Sequence, residues 1–200
     1  MTSMTEARLH KKGFNDITAE EADALLMEGS HVAVFSVIRK GKGPFSVPVW
    51  YEYRDDGNVY FGIDPPGVKA RLLQKAGRAT ITVQTEIEPY QYVMLEGEAR
   101  FLTEDELKAR GETVVSMMSR IFARYLEPDL VERYAAVLPI LAPDYSMVQL
   151  TPSRVQGESL RVHANWLPQL DDLPKIREGL DKGLSPREAM DYAKEARSAT

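Results

Sequence analysis

Cysteine is missing altogether from the 200 residues. Its absence removes disulfides, thiolate metal sites and thiol nucleophiles together, and it suits a reducing cytoplasm. Histidine is nearly as scarce. His10, His31 and His163 stand far apart, and none has a partner at the spacing of a metal centre. No apolar run approaches the length of a membrane span. Met1 to Gly13, with its His10-Lys11-Lys12, lacks the apolar segment of a secretory signal, so the expected location is the cytoplasm. There is no nucleophile elbow, no Walker-type loop and no glycine-rich dinucleotide turn. A net charge of −5 and a pI near 5.4 argue against nucleic acid held on a broad basic surface, and favour a phosphate-bearing small molecule in a local basic pocket.

What remains is an ordinary globular composition, 44% hydrophobic and 28% charged. A chain of this size buries roughly 70% of its unfolded surface, enough for one domain with appendages. Thr18 and Glu21 form a capping box for a leading helix over Ile17 to Leu26, and Gly29 ends it. His31 to Ile38 is almost continuously apolar and reads as a strand buried on both faces, with Arg39 to Gly43 as its turn. From Phe45 to Tyr53 the residues alternate: Phe45, Val47, Val49, Tyr51 and Tyr53 on one side, Ser46, Pro48, Trp50 and Glu52 on the other. Pro48 places this strand at a sheet edge or an irregular point, where its missing N–H is tolerated. Asp55 to Asn58 supplies a hairpin turn, which accounts for the paired carboxylates Asp55 and Asp56 without catalysis. The aromatic strand Val59 to Ile63 follows.

Pro65-Pro66-Gly67 then breaks the chain before a helix that runs from about Lys69 to Gly77. Lys69 and Arg71 sit in its first turn, where the helix dipole and unpaired N–H groups disfavour cations. A bound phosphate would remove that conflict, with the apolar hairpin covering a flat group beside it. Solvated surface cations are the plainer alternative. Further strands are expected over Ala79 to Gln84 and Tyr92 to Phe101, with Glu96 and Gly97 at a bulge. Six strands joined mainly as hairpins point to an antiparallel barrel closed on itself, with flanking helices.

Thr103 and Glu106 form a second capping box, opening a helix that runs towards Tyr125. Met117, Met118, Ile121, Phe122 and Tyr125 fall at helical spacing and read as core or interface packing. Pro128 opens another helix through Val137, closed by Pro139, and Tyr145 to Leu150 forms a last strand ended by Thr151-Pro152. Composition shifts near Gly157, dividing a unit 1–157 from a helical extension 158–200. Ser185-Pro186-Arg187-Glu188 starts a helix there, and the series Leu167, Leu170, Leu173, Ile176, Leu180 and Leu184 is too sparse to pack on itself. It is expected to lie on the barrel or on a second subunit.

Ser46 to Tyr51, the Gly57 turn, Tyr60-Phe61-Gly62, Lys69-Ala70-Arg71 with Leu73, and Val93 to Ala99 together resemble the FMN-binding split β-barrel family. That family includes pyridoxamine 5'-phosphate oxidase and deazaflavin-using relatives. The likeness covers about residues 30 to 102, with a weaker match over Val148 to Val155. It implies a homodimer with the cofactor at the subunit interface and hydride transfer to or from a small organic substrate. It also implies that Ser46, Val47, Pro48, Val49 and Trp50 lie along the ring, that Phe61 and Gly62 meet the ribityl chain or phosphate, that Lys69 binds the phosphate, and that Tyr92 makes a further contact. The oxidases proper carry cations where this chain has Ser46, Tyr51 and Val68, and they end in an Arg- and Trp-containing motif that is missing here apart from Trp166. The resemblance therefore leans to the broader flavin or deazaflavin reductases, with a non-catalytic flavin- or haem-binding module as the alternative. No catalytic side chain is assigned, consistent with chemistry carried by the cofactor.

Overall fold

The computed structural model describes residues 8–10, 16–87, 90–160 and 168–198, Leu160 by its backbone alone. His163, Trp166 and Leu167 lie outside these residues. The helix α1 (Ala19–Met27) starts as expected: Thr18 Oγ1 accepts the Glu21 amide at 3.2 Å, and Glu21 accepts the Thr18 amide at 3.0 Å. Seven strands follow in one antiparallel sheet: β1 (Ala33–Val37), β2 (Phe45–Val49), β3 (Glu52–Tyr53), β4 (Val59–Ile63), β5 (Arg78–Gln84), β6 (Tyr90–Phe101) and β7 (Ser146–Leu160).

Their order is β2-β1-β5-β6-β7-β4-β3, so the sheet is not the closed six-stranded barrel expected. Its two ends are consecutive in the chain. Only Trp50 and Tyr51 separate β2 from β3, so one extended segment begins at one edge of the sheet and finishes at the other. The ring is completed by peptide bonds where no strand ladder closes it. Pro48 lies on the β2 edge opposite Val34, as its lack of an N–H allows, but the interruption comes two residues later. There the Tyr51 amide donates to the Tyr125 hydroxyl at 3.3 Å, and that hydroxyl donates to the His31 carbonyl at 3.1 Å. A side chain thus satisfies the backbone that the ladder leaves.

Three further expectations are corrected. The strand β1 alternates, with Ala33, Phe35 and Val37 buried and Val34 exposed. It is β4 that is buried on both faces, because helices cover its outer side. Second, the strand β7 runs past Pro152 to Leu160. A register shift opposite Glu96 and Gly97 absorbs one extra residue, and Gly97 is needed there because a Cβ would come within 2.0 Å of the Thr151 carbonyl oxygen. Third, the helix from Thr103 is two helices, α3 (Glu104–Ala109) and α4 (Val114–Ala123), parted at Gly111 with φ +68° and restarted by the cap Thr113. A similar shift applies to α5 (Pro128–Leu141): Pro128 starts it, but it continues beyond Pro139.

Two cores result. Inside the ring pack Phe35, Val49, Tyr51, Phe61, Leu73, Ile81, Leu95 and Val155, among others. Outside it, Tyr60 and Met147 pack against Leu107, Met117, Met118, Ile121 and Phe122 of α3 and α4. Each such side chain contributes about 1.5–3 kcal/mol on burial. The remaining helices are α2 (Val68–Ala76), α6 (Leu173–Asp181) and α7 (Pro186–Ser198). Contrary to the expectation that the C-terminal series cannot pack on itself, α6 and α7 pack together, with Gly179 close against Ala189. Arg187 ties the pair to the Asp16 carbonyl at 2.9 Å and to Glu21 at 3.7 Å.

Candidate functional site

The start of α2 has the features its sequence suggests. Its N-cap is Gly67, with no capping side chain, and its first turn holds no acid. The amides there are therefore met by no side chain, and Lys69 stands beside them half-buried. Lys69 opens into a cavity of about 420 Å³, within the usual range for small-molecule sites. One wall is the end of β2 and its continuation, Pro48, Val49 and Trp50, with Val32 from the chain entering β1. The opposite wall comes from Met118 and Phe122 of α4 and Tyr134 and Leu138 of α5. Gly62 and Tyr145 form the floor.

Trp50 is fixed from behind. Its ring stacks on Tyr125 at 5.0 Å and 8° and meets Phe122 edge-on at 6.1 Å. Phe122 in turn touches Tyr134 at 5.4 Å, which draws α5 over the cavity although no residue of that helix is buried. Gly62 has a specific role in this floor. A Cβ there would lie 2.2 Å from the Tyr145 ring and 2.7 Å from Met118 Sδ, so the glycine lets both side chains lie flat on β4. Burial raises the Tyr145 phenol above its ordinary pKa, as does the nearby charge of Asp64. It stays neutral and able to donate a hydrogen bond.

Of the residues singled out in the sequence, the structure gathers Pro48, Val49, Trp50, Gly62 and Lys69 around this one cavity. Ser46 and Val47 lie further along the same edge strand; Ser46 is exposed and shares a 2.8 Å hydrogen bond with Ser36. Phe61 is fully buried in the inner core, on the other face of β4 from Tyr60. Tyr92 lines a separate hollow with Gln84 and Tyr90, its phenol raised by burial and by Glu158. Sequence reading missed Val32, Tyr134, Leu138 and Tyr145 as wall residues, and took Met118 and Phe122 only as packing. Their i,i+4 spacing on α4 was visible, but nothing local aims them at Lys69. A larger hollow, about 890 Å³, runs along α6 from Leu173 to Lys182 and presents only surface charges and apolar side chains. Among the described residues no His, Asp and Glu cluster could hold a metal, and no helix is long and apolar enough to cross a membrane.

Beside the cavity, charges are tightly paired. Arg54 meets Glu52 at 2.7 Å and Glu112 at 3.2 Å, and it covers the Tyr60 ring at 4.2 Å. Arg120 of α4 meets both carboxylates as well. Burial alone would raise Glu112, but Arg54 and Arg120 outweigh it and hold the carboxyl below its ordinary range. Asp56 is likewise lowered against its burial by hydrogen bonds from the Tyr60 hydroxyl, at 2.6 Å, and from Asn58. These contacts pin α3 and α4 to the β3–β4 hairpin, and so hold the outer wall of the cavity in place.

An antiparallel split sheet with a cavity between its open edge and an inserted helical layer defines a class of proteins, and comparison agrees. The family model described as pyridoxamine 5'-phosphate oxidase matches residues 18–158, well over half of the chain, which therefore belongs to that family. Among solved structures, the chain is similar to a conserved hypothetical protein from Mycobacterium tuberculosis, with a TM-score of 0.57 and 18% identity, covering 80% of this chain and 96% of that one. It is also similar to a FAD-binding protein from Mesorhizobium loti, with a TM-score of 0.53 and 18% identity over 71% of this chain and 94% of that one. At such identities the likeness is one of fold. No curated protein matches.

Proposed function

We propose that this chain is a cytoplasmic, homodimeric oxidoreductase that binds an FMN unit non-covalently and passes hydride to or from a small organic substrate. The observation that carries this reading is Lys69 at an uncapped helix start, opening into a cavity with aromatic and apolar walls. A phosphate fits the helix start by charge and by its unmet amides. A flat tricyclic ring fits the slot bounded by Pro48, Val49 and Trp50 on one side and by Met118, Phe122 and Leu138 on the other. The Mesorhizobium loti protein of similar fold is described as FAD-binding, which supports a flavin here.

When bound, the flavin supplies the hydride chemistry. The chain's own residues bind, orient and exclude water. Lys69 and the first amides of α2 anchor the phosphate, and Trp50, braced by Tyr125, sets the height of the ring wall. Tyr145 offers a neutral phenol at the floor. The β2 edge with Ser46 and Val47 stays free of a strand partner on its outer side, and a second protomer laid along it would enclose the ring. Titration of the purified protein with FMN, followed by flavin fluorescence, tests the reading. Stoichiometric quenching supports it, and flavin fluorescence unchanged at protein excess overturns it. Mass spectrometry of ligand released from native protein then separates FMN from a deazaflavin, and reoxidation assays with candidate acceptors separate an enzyme from a carrier.

A further inference from the structure

A second groove adjoins the first across the start of α2. It measures about 490 Å³ and is lined by the apolar Ile38, Val68, Leu72 and Ala76, of which Ile38 and Val68 are exposed, with Arg39, Lys40, Lys42 and Lys75 around them as a cationic rim. Val68 belongs to this groove and Lys69, the next residue, to the cavity described above, so the two share one boundary. The rim differs from the cations that fasten the fold. Arg54, Arg78, Arg100, Arg120, Arg187 and Arg197 each reach a carboxylate. Among the described residues Lys40, Lys42, Lys69, Arg71 and Lys75 reach none, and Arg39 donates only to the Gly43 carbonyl. The helix α2 carries Lys69, Arg71 and Lys75 without one acid, and Arg71 and Lys75 are like charges one turn apart. Lys69 and Arg71, at the start of α2, oppose its dipole unless an anion offsets them, whereas Lys75 in the last turn suits it.

We propose that this groove takes the adenylate half of a dinucleotide, so that the flavin held by Lys69 is FAD. The inference rests on the flavin reading above and extends it. The chemistry of the groove matches a nucleotide on two independent counts. Apolar side chains lining it, two of them exposed, suit the faces of a purine, and the cations around it suit a diphosphate and can stack on the base. Distance is also compatible: six residues of α2 separate Lys69 from Lys75, about 9 Å along the helix axis at 1.5 Å per residue, a span that long lysine side chains close from either end. A mononucleotide anchored at Lys69 would leave the rim without a partner.

The test compares FMN and FAD binding to the full chain, by fluorescence quenching or calorimetry, with wild-type protein and the combined variant Lys40→Gln, Lys42→Gln, Lys75→Gln. Wild type is expected to bind FAD about tenfold more tightly than FMN, and the triple variant to lose about that factor for FAD while changing FMN affinity less than twofold. FAD affinity should also fall more steeply with added salt than FMN affinity. Equal affinities, or equal losses for both flavins, overturn the dinucleotide assignment and leave the FMN unit at Lys69 standing. If neither flavin binds to wild type, the cofactor reading falls and this inference with it. These lysines are exposed, and thermal melting of the variant confirms that the loss is one of binding.

Discussion

Around the β3–β4 hairpin, Arg54 and Arg120 are locked between Glu52 and Glu112, whereas on α2 Lys69, Arg71 and Lys75 reach no carboxylate among the described residues. Lys69 of the second lines the candidate cavity, and Arg120 of the first lies on α4, which supplies Met118 and Phe122 to its wall. The first uses charge to hold structure: its side chains are largely sheltered, each carboxylate meets two guanidinium groups, and the inserted helices are fastened to the sheet. The second reaches no carboxylate among the described residues, and Lys69 and Arg71 stand against the dipole at the start of their helix. Side by side, they separate charge that fastens the helical layer from charge that the proposed flavin would offset.

The comparison breaks most visibly at Arg54. Arg54→Ala leaves Glu52 and Glu112 sheltered with one partner fewer, and is expected to lower stability by about 3 kcal/mol, the low end for breaking a buried pair. Denaturant melts of the apo protein measure it; a change within error would show that the network is solvated after all. Next comes the floor. Gly62→Ala drives a methyl into the Tyr145 ring, with an expected loss of about 2 kcal/mol from overpacking and a shift in Tyr145 fluorescence as its ring is displaced. Full retention of stability and spectrum would place Tyr145 elsewhere.

On the ligand side, Lys69→Ala should weaken flavin binding by roughly 1–2 kcal/mol, as for loss of a charge-assisted hydrogen bond. The apo protein should keep its melting temperature or gain slightly, because a cation is removed from a helix N-terminus. A destabilised apo protein would move Lys69 into the scaffold group. The smallest effect concerns Glu106. The hydrogen bonds from Arg100 and from the Thr103 amide hold its carboxyl down to about 2, from an ordinary 4.5. Because the folded value is the lower one, its contribution is present above pH 4.5 and fades as pH falls towards 2. The stability gap between wild type and Glu106→Gln should therefore close over that window.

What could be read from the chain, and what could not, follows the range of each interaction. The capping pairs Thr18–Glu21, Thr103–Glu106 and Ser185–Glu188 lie within one turn, and all three appear in the structure. The helix start at Val68 and the hairpin turn at Gly57 are equally local. The passage of β7 beyond Pro152 was hidden, because it depends on Gly97 in another strand giving room for Thr151. The division of α3 from α4 was hidden by apolar spacing that continues smoothly after Gly111. The same limit applies to the site. Its β2 wall and Lys69 come from one stretch of sequence and could be named, while Tyr134, Leu138 and Tyr145 arrive from 60 or more residues away and carry no sign of their destination.

The junction at Trp50 and Tyr51 has a mechanical consequence. Where a cylinder of strands is joined edge to edge by hydrogen bonds, widening it means breaking a ladder; here the two edges are joined through Trp50 and Tyr51, and side chains hold the joint: Tyr125 meets the Tyr51 backbone and stacks on Trp50, and the Tyr51 hydroxyl donates to the Leu26 carbonyl at 3.0 Å. The one stretch of the circumference without a ladder thus meets the cavity wall at Trp50. Amide exchange at Tyr51, whose partner is a side chain and not a neighbouring strand, is expected to slow when the proposed flavin braces Trp50 from the inside.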